Sequence, residues 1–356
     1  MPIDTRLGAA PKYVQLADHL RKQIKRGTLK PGDRLPSQAE LKAQYGISQA
    51  TMERLHASLE QEGLIVRRQG SGTFVAPPPE RIRTGIVGVT GVGFLVDRSF
   101  YWMHILEGIR SVATPAGFQI MLIDPRASEI NTDSVDGLFV TGWDKPEFIR
   151  TFPNVETVEL ITASGSGSSV VADDFGGGVI ATEYLLGLGH KRIAMLGNEG
   201  YHISEIRAEG YKYALKRAGI EPDPAWLRMI ADLWPEFQKN GQSHMNKWLD
   251  EDWDKLGCTA LLAHNDPTAL GAIAAFRKRG YDVPGKVSVV GYDATGLYDN
   301  ADPLLTSVAV PLQEVGRIGM STLLARINDD GDRNGQEVVP VTLRHGHSAA
   351  AIADTK

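Results

Sequence analysis

The sequence predicts an α/β chain in two parts, a small helical head and a large body in which strands and helices alternate. Three observations carry this. Residues 35–75 hold two capped helical segments and then two short runs around a glycine-rich turn. Ala76-Pro77-Pro78-Pro79 follows directly, and three consecutive prolines favour a stiff spacer, the natural place for a boundary. Beyond it, short apolar runs separated by helical periods recur, the pattern of parallel sheets covered on both faces.

Taken in order, residues 13–26 place apolar side chains at 13, 16, 17, 20 and 24, an amphipathic helix. Ser37 with Glu40 three residues later forms a capping box that opens the next helix. Gly46 ends it, and Ser48 caps a third helix whose Met52, Leu55 and Leu59 share one face. Gly63 stops that helix. Residues 64–68 and 73–75 then alternate as strands around Gln69-Gly70-Ser71-Gly72. This order is helix-turn-helix plus wing. It puts Ser48, Gln49, Ala50 and Thr51, at a helix N-terminus, against base edges and phosphates of a DNA major groove. A helical hairpin that only packs or dimerises is the alternative reading of the pattern. Lys12, Arg34, Lys42, Arg54, Arg67 and Arg68 are the candidate phosphate contacts, with Ser37 and Gly70 on the same elements.

Charge agrees with that placement. Residues 1–79 hold 12 Lys+Arg and 7 Asp+Glu, a head of +5, whereas the rest holds 26 and 36, a body of −10. A basic head on an acidic body fits nucleic acid touching only the head. One cysteine, Cys258, excludes an internal disulfide framework and fits a reducing compartment. The N-terminus is polar and no apolar run approaches the about 20 residues that span a bilayer, so a cytoplasmic protein with no membrane partner is expected. No cofactor, metal or catalytic site is expected either. Gly88–Gly93 lacks the order of a phosphate-binding loop and reads as a flexible turn. The nine histidines form no zinc-binding helix pattern, and His345-Gly346-His347 reads as incidental. Ser164 to Ser169 reads as a flexible connector.

In the body, strands are expected at 85–89, 119–123, 137–140, 157–161, 170–172, 192–196, 259–263 and 286–290. Helices are expected near 101–114, 176–188, 204–218, 236–250, 267–279 and 312–327. So long a body exceeds one comfortable core and predicts two doubly wound subdomains, with a ligand beyond the strand ends and between the lobes. Tyr101, Trp102, Trp143 and Trp234 lie in segments expected to open on that cleft, where aromatic faces can stack on a sugar ring. Only ten residues separate Asp124 from Val135, which leaves one first-lobe helix missing or reduced to a turn.

Two resemblances extend this reading. Tyr13-Val14-Gln15-Leu16-Ala17, residues 27–37 (GTLKPGDRLPS), Gly46-Ile47-Ser48 and Gly70-Ser71-Gly72-Thr73-Phe74-Val75 resemble the winged-helix domain of GntR-type transcription regulators. That family commonly begins its recognition helix Ser-Arg-x-Thr-x-Arg; here Gln49 and Glu53 stand at the two arginine positions, and Ala39 replaces another arginine. Gln can pair with an adenine edge and Glu can accept from cytosine, so an altered operator is implied, with weakened DNA binding as the competing outcome.

Residues 171–178 (VADDFGGG), 184–193 (YLLGLGHKRI), Arg207-Ala208-Glu209-Gly210-Tyr211, His264-Asn265-Asp266, Val290-Gly291-Tyr292-Asp293 and Leu305-Thr306-Ser307-Val308 resemble the effector domain of LacI/GalR-type regulators. A GntR-type head on such a body resembles the arabinose-repressor group. The resemblance implies a winged helix-turn-helix domain (1–76), a proline-rich linker (77–83) and a two-lobed periplasmic-binding-protein-like domain with parallel sheets (84–356). Arg207, Asn265 and Asp293 become effector-binding positions, with Asp173 from the VADDFGGG motif. An inter-lobe salt bridge is the competing role for Arg207 and Asp293, and helix capping is the expected role of Asp266. The implied protein is a homodimeric repressor of carbohydrate genes that releases operator DNA when a sugar binds. The alternatives are a sugar sensor with weakened or altered DNA specificity, and an enzyme carrying a regulatory GntR-type head.

Overall fold

The structure is a computed structural model and describes residues 11–25, 28–77, 83–90, 100–124, 134–141, 155–165, 167–231, 236–328 and 335–352. The chain divides into two compact units, Met1–Arg83 and Thr84–Lys356.

In the first unit, α1 (Lys12–Lys25), α2 (Gln38–Tyr45) and α3 (Gln49–Gln61) are followed by β1 (Ile65–Arg68) and β2 (Gly72–Val75). Ser37 and Glu40 form the expected capping box, and Gly46 takes the left-handed conformation (φ 59°) that ends α2. Leu16, Leu20, Leu41, Met52, Leu55, Leu59 and Ile65 make one small core. Arg21 on α1 grips Glu62 with two guanidinium nitrogens, the Nε at 2.7 Å, and so ties α1 to the end of α3. β1 and β2 pair antiparallel, Ile65 opposite Val75.

The second unit begins with β3 (Ile86–Thr90), α4 (Phe100–Ala113), β4 (Gln119–Ile123), β5 (Gly137–Thr141), β6 (Glu156–Leu160) and β7 (Ser168–Ala172). Next come α5 (Asp174–Gly187), β8 (Ile193–Asn198), α6 (His202–Arg217), β9 (Leu227–Ile230), α7 (Phe237–Glu251), α8 (Trp253–Leu256), β10 (Ala260–Ala263), α9 (Asp266–Lys278) and β11 (Ser288–Asp293). β12 (Thr306–Ala309), α10 (Leu312–Ile327), β13 (Gln336–Val339) and β14 (Thr342–Arg344) complete it. Two six-stranded sheets result. The first lobe has the order β13-β7-β6-β5-β3-β4, and the second β14-β12-β11-β10-β8-β9. Every pairing is parallel except β12 with β14. Strands β5, β7, β8 and β10 are buried along their whole length, as parallel strands with both faces covered must be.

The chain passes between the lobes three times: from β7 into α5, from β12 into α10, and from β13 into β14. β9, β12, β13 and β14 lie outside the strands expected from sequence, being short and at or near sheet edges, where apolar patterning is weak. Two connectors also need correction. Gly88 and Val89 belong to β3, as the expected strand had them, and Thr90 extends it into the segment read as a turn; Ser168 and Ser169 belong to β7 with both side chains buried. The expected loss of a helix between Asp124 and Val135 falls on residues outside those described.

Three helix pairs cross with backbones in contact, and each crossing is made at glycine. A Cβ on Gly210 of α6 would lie 2.1 Å from the Phe175 carbonyl of α5, and one on Gly178 of α5 2.2 Å from the Arg207 carbonyl of α6. Gly108 and Gly316 serve the α4–α10 pair in the same way, and Gly271 the α7–α9 pair. Among the described residues no helix is long and apolar enough to cross a membrane.

Candidate functional site

Two sets of residues were expected to carry function, one on each unit. On the head, Ser48 caps α3, its Oγ accepting from the Thr51 amide at 3.2 Å and lying 2.9 Å from the Thr51 hydroxyl. Ala50 is exposed beside them. Gln49 Nε2 donates to Glu53 Oε1 at 3.3 Å, so the two residues that replace the arginines of the GntR pattern bond each other. Arg34 and Arg68 converge on the wing. Arg34 pairs with Phe74 as an isolated antiparallel bridge and its guanidinium lies over Gly72, while the Arg68 guanidinium sits 5.1 Å from the Phe74 ring centre. Arg67 pairs loosely with Glu60 at 3.5 Å, and Gly70 takes the positive φ (75°) of the wing turn. Ser37 is committed to the α2 capping box. His56, on the inner face of α3, is buried, and burial, with Arg67 nearby, lowers its pKa.

In the body, Arg207 of α6 is the hub. It is 4 % exposed, and its three nitrogens are all engaged. Nε donates to Asp174 Oδ1 at 2.8 Å, Nη1 to the His264 carbonyl at 2.6 Å, and Nη2 to Asp293 Oδ1 at 3.4 Å. The guanidinium stacks 3.5 Å from the centre of the Tyr292 ring. Burial works against so enclosed a cation, and the facing Asp174 and Asp293 outweigh it, so the Arg207 pKa is held above its ordinary value. The same burial pushes Asp293 up to about 6 and raises Asp174, against the pull of Arg207.

Asp174 begins α5, Arg207 lies in α6, Asp293 ends β11 and His264 follows β10, so this cluster belongs wholly to the second lobe. The inter-lobe salt bridge considered for Arg207 and Asp293 is therefore a bridge within one lobe. The first lobe supplies the N-terminal turns of α4. There Tyr101, whose phenol is raised well above its usual range by burial and then by Asp293 and Asp174, faces the charges of the cluster. His104 Nε2 donates to the Thr295 carbonyl of the second lobe at 2.9 Å. Tyr201 and Phe237 flank His264, with ring centres 5.3 and 5.7 Å away. Burial, then Arg207, holds His264 well below the usual imidazole range, so it is neutral.

Three expected effector positions are engaged in the fold. Trp102 packs in the main core with Ile105 and Ile109, because adjacent residues of a helix turn by about 100° and only one of the pair 101–102 can face the cleft. Asp173 caps α5, accepting from the Gly176 amide at 2.7 Å, while its neighbour Asp174 reaches Arg207. Asn265, not Asp266, caps α9: its Oδ1 accepts from the Thr268 amide and hydroxyl at 3.0 and 2.7 Å, and no described hydrogen bond uses its Nδ2. Trp143 and Trp234 lie outside the described residues. Asp174, His104, Tyr201 and His264 were not singled out. The Asp173-Asp174 doublet was the available signal, since the residue before a helix caps it and the next is free to point elsewhere. Among the described residues no three His, Cys, Asp or Glu side chains lie where they could hold a metal ion.

Residues 182–349 match the periplasmic binding protein-like domain family, and residues 12–75 match the bacterial regulatory proteins of the gntR family. The chain is 30 % identical over 278 residues to the HTH-type transcriptional regulator DegA of Bacillus subtilis, covering 72 % of this chain and 79 % of DegA. It is 24 % identical over 329 residues to the arabinose metabolism transcriptional repressor of Geobacillus stearothermophilus, covering 86 % of this chain and 88 % of that protein. Among solved structures, the transcriptional regulator CelR–cellobiose complex aligns with a TM-score of 0.66 at 24 % identity, over 85 % of this chain and 92 % of that one. A LacI family regulator from Enterococcus faecium with bound ribose aligns with a TM-score of 0.65 at 24 % identity, over 75 % of this chain and all of the other.

Proposed function

The chain belongs to the transcription regulators that join a GntR-type winged helix-turn-helix head to a periplasmic-binding-protein-like body, and from that premise we propose a homodimeric repressor that leaves its operator when a sugar binds between the lobes. The observation that carries the effector reading is the desolvated Arg207–Asp174–Asp293 cluster, faced by Tyr101 and His104 from the opposite lobe. Fixed donors and acceptors of both kinds, next to aromatic rings, suit the hydroxyls and C–H faces of a neutral polyol. A sugar that binds the closed lobes more tightly than the open ones shifts the balance between them, and with it the spacing of the two heads on DNA.

In this reading Arg207, Asp293, Asp174, Tyr101, Tyr201 and the Asn265 Nδ2 contact effector, and Trp143 and Trp234 are proposed with them. Arg34, Arg67, Arg68 and Gly70 hold phosphates, and Ser48, Gln49, Ala50, Thr51 and Glu53 meet the major groove. The segment 77–83 is the linker between head and body. The protein works in the cytoplasm, where operator DNA lies, and catalyses no reaction. The Gln49–Glu53 bond favours a changed operator preference over the arginine-read sites of the wider family.

The test selects genomic fragments with the full-length protein, then follows release of the best fragment by fluorescence anisotropy. L-arabinose, D-ribose and cellobiose are added in turn. Saturable release by one of them is expected. A specific DNA complex that ignores a sugar shown by calorimetry to bind would sink the proposal, as would the absence of any sequence-specific DNA binding.

A further inference from the structure

Asp266 was expected to cap a helix, and the structure gives that task to Asn265. Asp266 is instead 2 % exposed at the start of α9, with its two oxygens turned to two other parts of the lobe. The Ser307 hydroxyl, on β12 just before the crossing into α10, donates to Oδ1 at 2.5 Å. The Ala294 amide donates to Oδ2 at 3.0 Å. Gly291 makes room for this, since a Cβ there would lie 2.3 Å from Oδ1.

The segment so held is unusual. Asp293 and Ala294 sit at φ 99° and 47°, two consecutive non-glycine residues in the left-handed region, where an L side chain crowds its own backbone. Asp293 and Thr295 make three consequential contacts. The Asp293 carboxylate faces Arg207, the Asp293 carbonyl accepts from Val310 at 3.3 Å beside a lobe crossing, and the Thr295 carbonyl accepts from His104 of the first lobe.

We propose that Asp266 is a positioning residue of the effector site: by bridging Ser307 and Ala294 it holds the strained Asp293–Ala294 turn that aims the Asp293 carboxylate at Arg207 and the Thr295 carbonyl at the opposite lobe. It touches no effector. The inference rests on the reading of the cleft as the effector site. Burial pushes the Asp266 carboxyl up to about 7, and either protonation state keeps the bridge, because the Ser307 hydroxyl can donate or accept.

The test uses full-length protein carrying Asp266→Ala, Asp266→Asn, or Asp266→Ala together with Ala294→Gly. Amide hydrogen exchange is read without ligand, and L-arabinose, D-ribose and cellobiose are titrated calorimetrically. Asp266→Ala should speed exchange across residues 293–296 by about tenfold or more, with the second-lobe strands unchanged, and weaken the sugar that wild type binds by a similar factor. Asp266→Asn, which can keep both bonds, should stay within about threefold of wild type. Glycine at 294 removes the strain at that residue and leaves only Asp293 left-handed, so the double variant should regain part of the lost affinity. A general loss of packing would not be repaired in that way. Unchanged affinity in Asp266→Ala, no recovery in the double variant, or exchange quickened evenly over the whole lobe would each overturn the proposal. Should Asp266→Ala fail to fold, Ser307→Ala removes one anchor only; unaltered exchange at 293–296 in it would be equally fatal. If wild type binds none of the sugars, the effector reading fails on its own account, and the exchange measurement still decides whether Asp266 holds the turn.

Discussion

Replacing Arg207 with alanine is the sharpest perturbation of the body, because it strands two acids at once. Asp174 and Asp293 are each buried against the guanidinium, at 2.8 and 3.4 Å; burial raises the pKa of both, and Asp174 adds to the rise at Asp293. Breaking a buried pair by removing one partner costs about 3–5 kcal/mol. With two carboxylates left facing one another, the upper part of that range applies when both are ionised. The protein's escape is to bind protons. Asp293 is already pushed up to about 6 with Arg207 pulling it down, so without the cation it rises further. A folded-state pKa above the unfolded value of about 3.9 means that the fold prefers the protonated acid. The cost of the substitution is then largest above the raised pKa. It shrinks as pH falls through that value towards the folded-state value of wild type, below which both proteins hold the proton and only the lost contacts of Arg207 remain. His56 and His190, both held below the usual imidazole range by burial, destabilise wild type and variant alike on acidification and cancel in the difference. His264 acts in the same direction as the acids, since loss of Arg207 lets it charge more easily at low pH. Urea unfolding followed by circular dichroism at pH 8 and pH 5.5 measures this. A loss of about 4 kcal/mol at pH 8, falling to less than half at pH 5.5, is expected. A loss of equal size at both pH values, or none at either, would refute the account of Arg207 as the counter-ion of two buried acids.

Gly210→Ala must part α5 and α6 by about 1.3 Å to bring its 2.1 Å approach to Phe175 up to an ordinary 3.4 Å contact, which also pulls Asp174 from Arg207. A stability loss of about 1–3 kcal/mol with weaker sugar binding is expected, against no loss for Gly187→Ala, which meets nothing within 4 Å. On the head, Arg34→Ala and Arg68→Ala should weaken specific and non-specific DNA alike and lower the slope of log affinity against log salt by roughly 1 each; a filter-binding salt series with an unchanged slope would remove them from the phosphate contacts. Gln49→Arg should move the preferred base at one position of each half-site from adenine to guanine, with about 1–3 kcal/mol at stake per bidentate pair. Selection from a random pool reads this directly, and Glu53→Gln in the same selection separates lost base preference from uniformly tighter binding.

The head was legible almost residue by residue. Its signals are local: the Ser37–Glu40 box, the Ser48 cap and the glycines at 46, 63 and 70 each depend on a backbone conformation that a few neighbouring residues dictate. The buried strands and long helices of the body were legible for the same reason, as apolar runs and helical periods. The short strands β9, β12, β13 and β14 were not, because their place comes from partners far away in sequence. β13 lies beside β7 although well over a hundred residues separate them.

The effector cluster divides along the same line. Arg207 and Asp293 stood out from motif resemblance, yet which neighbouring carboxylate Arg207 would meet was undecidable from a doublet of aspartates. It depends on how closely α5 and α6 approach, and that distance is set by Gly178 and Gly210 on two separate helices. The passing of the α9 cap from Asp266 to Asn265, and the loss of Trp102 to the core, have the same origin. Residue type and spacing determined the two parts, the capped helices and the charge that belongs to each. Only the packed tertiary structure decided which polar groups share one buried environment, because desolvation, strain at Asp293–Ala294 and the pairing of charges arise between segments and are absent from any one of them.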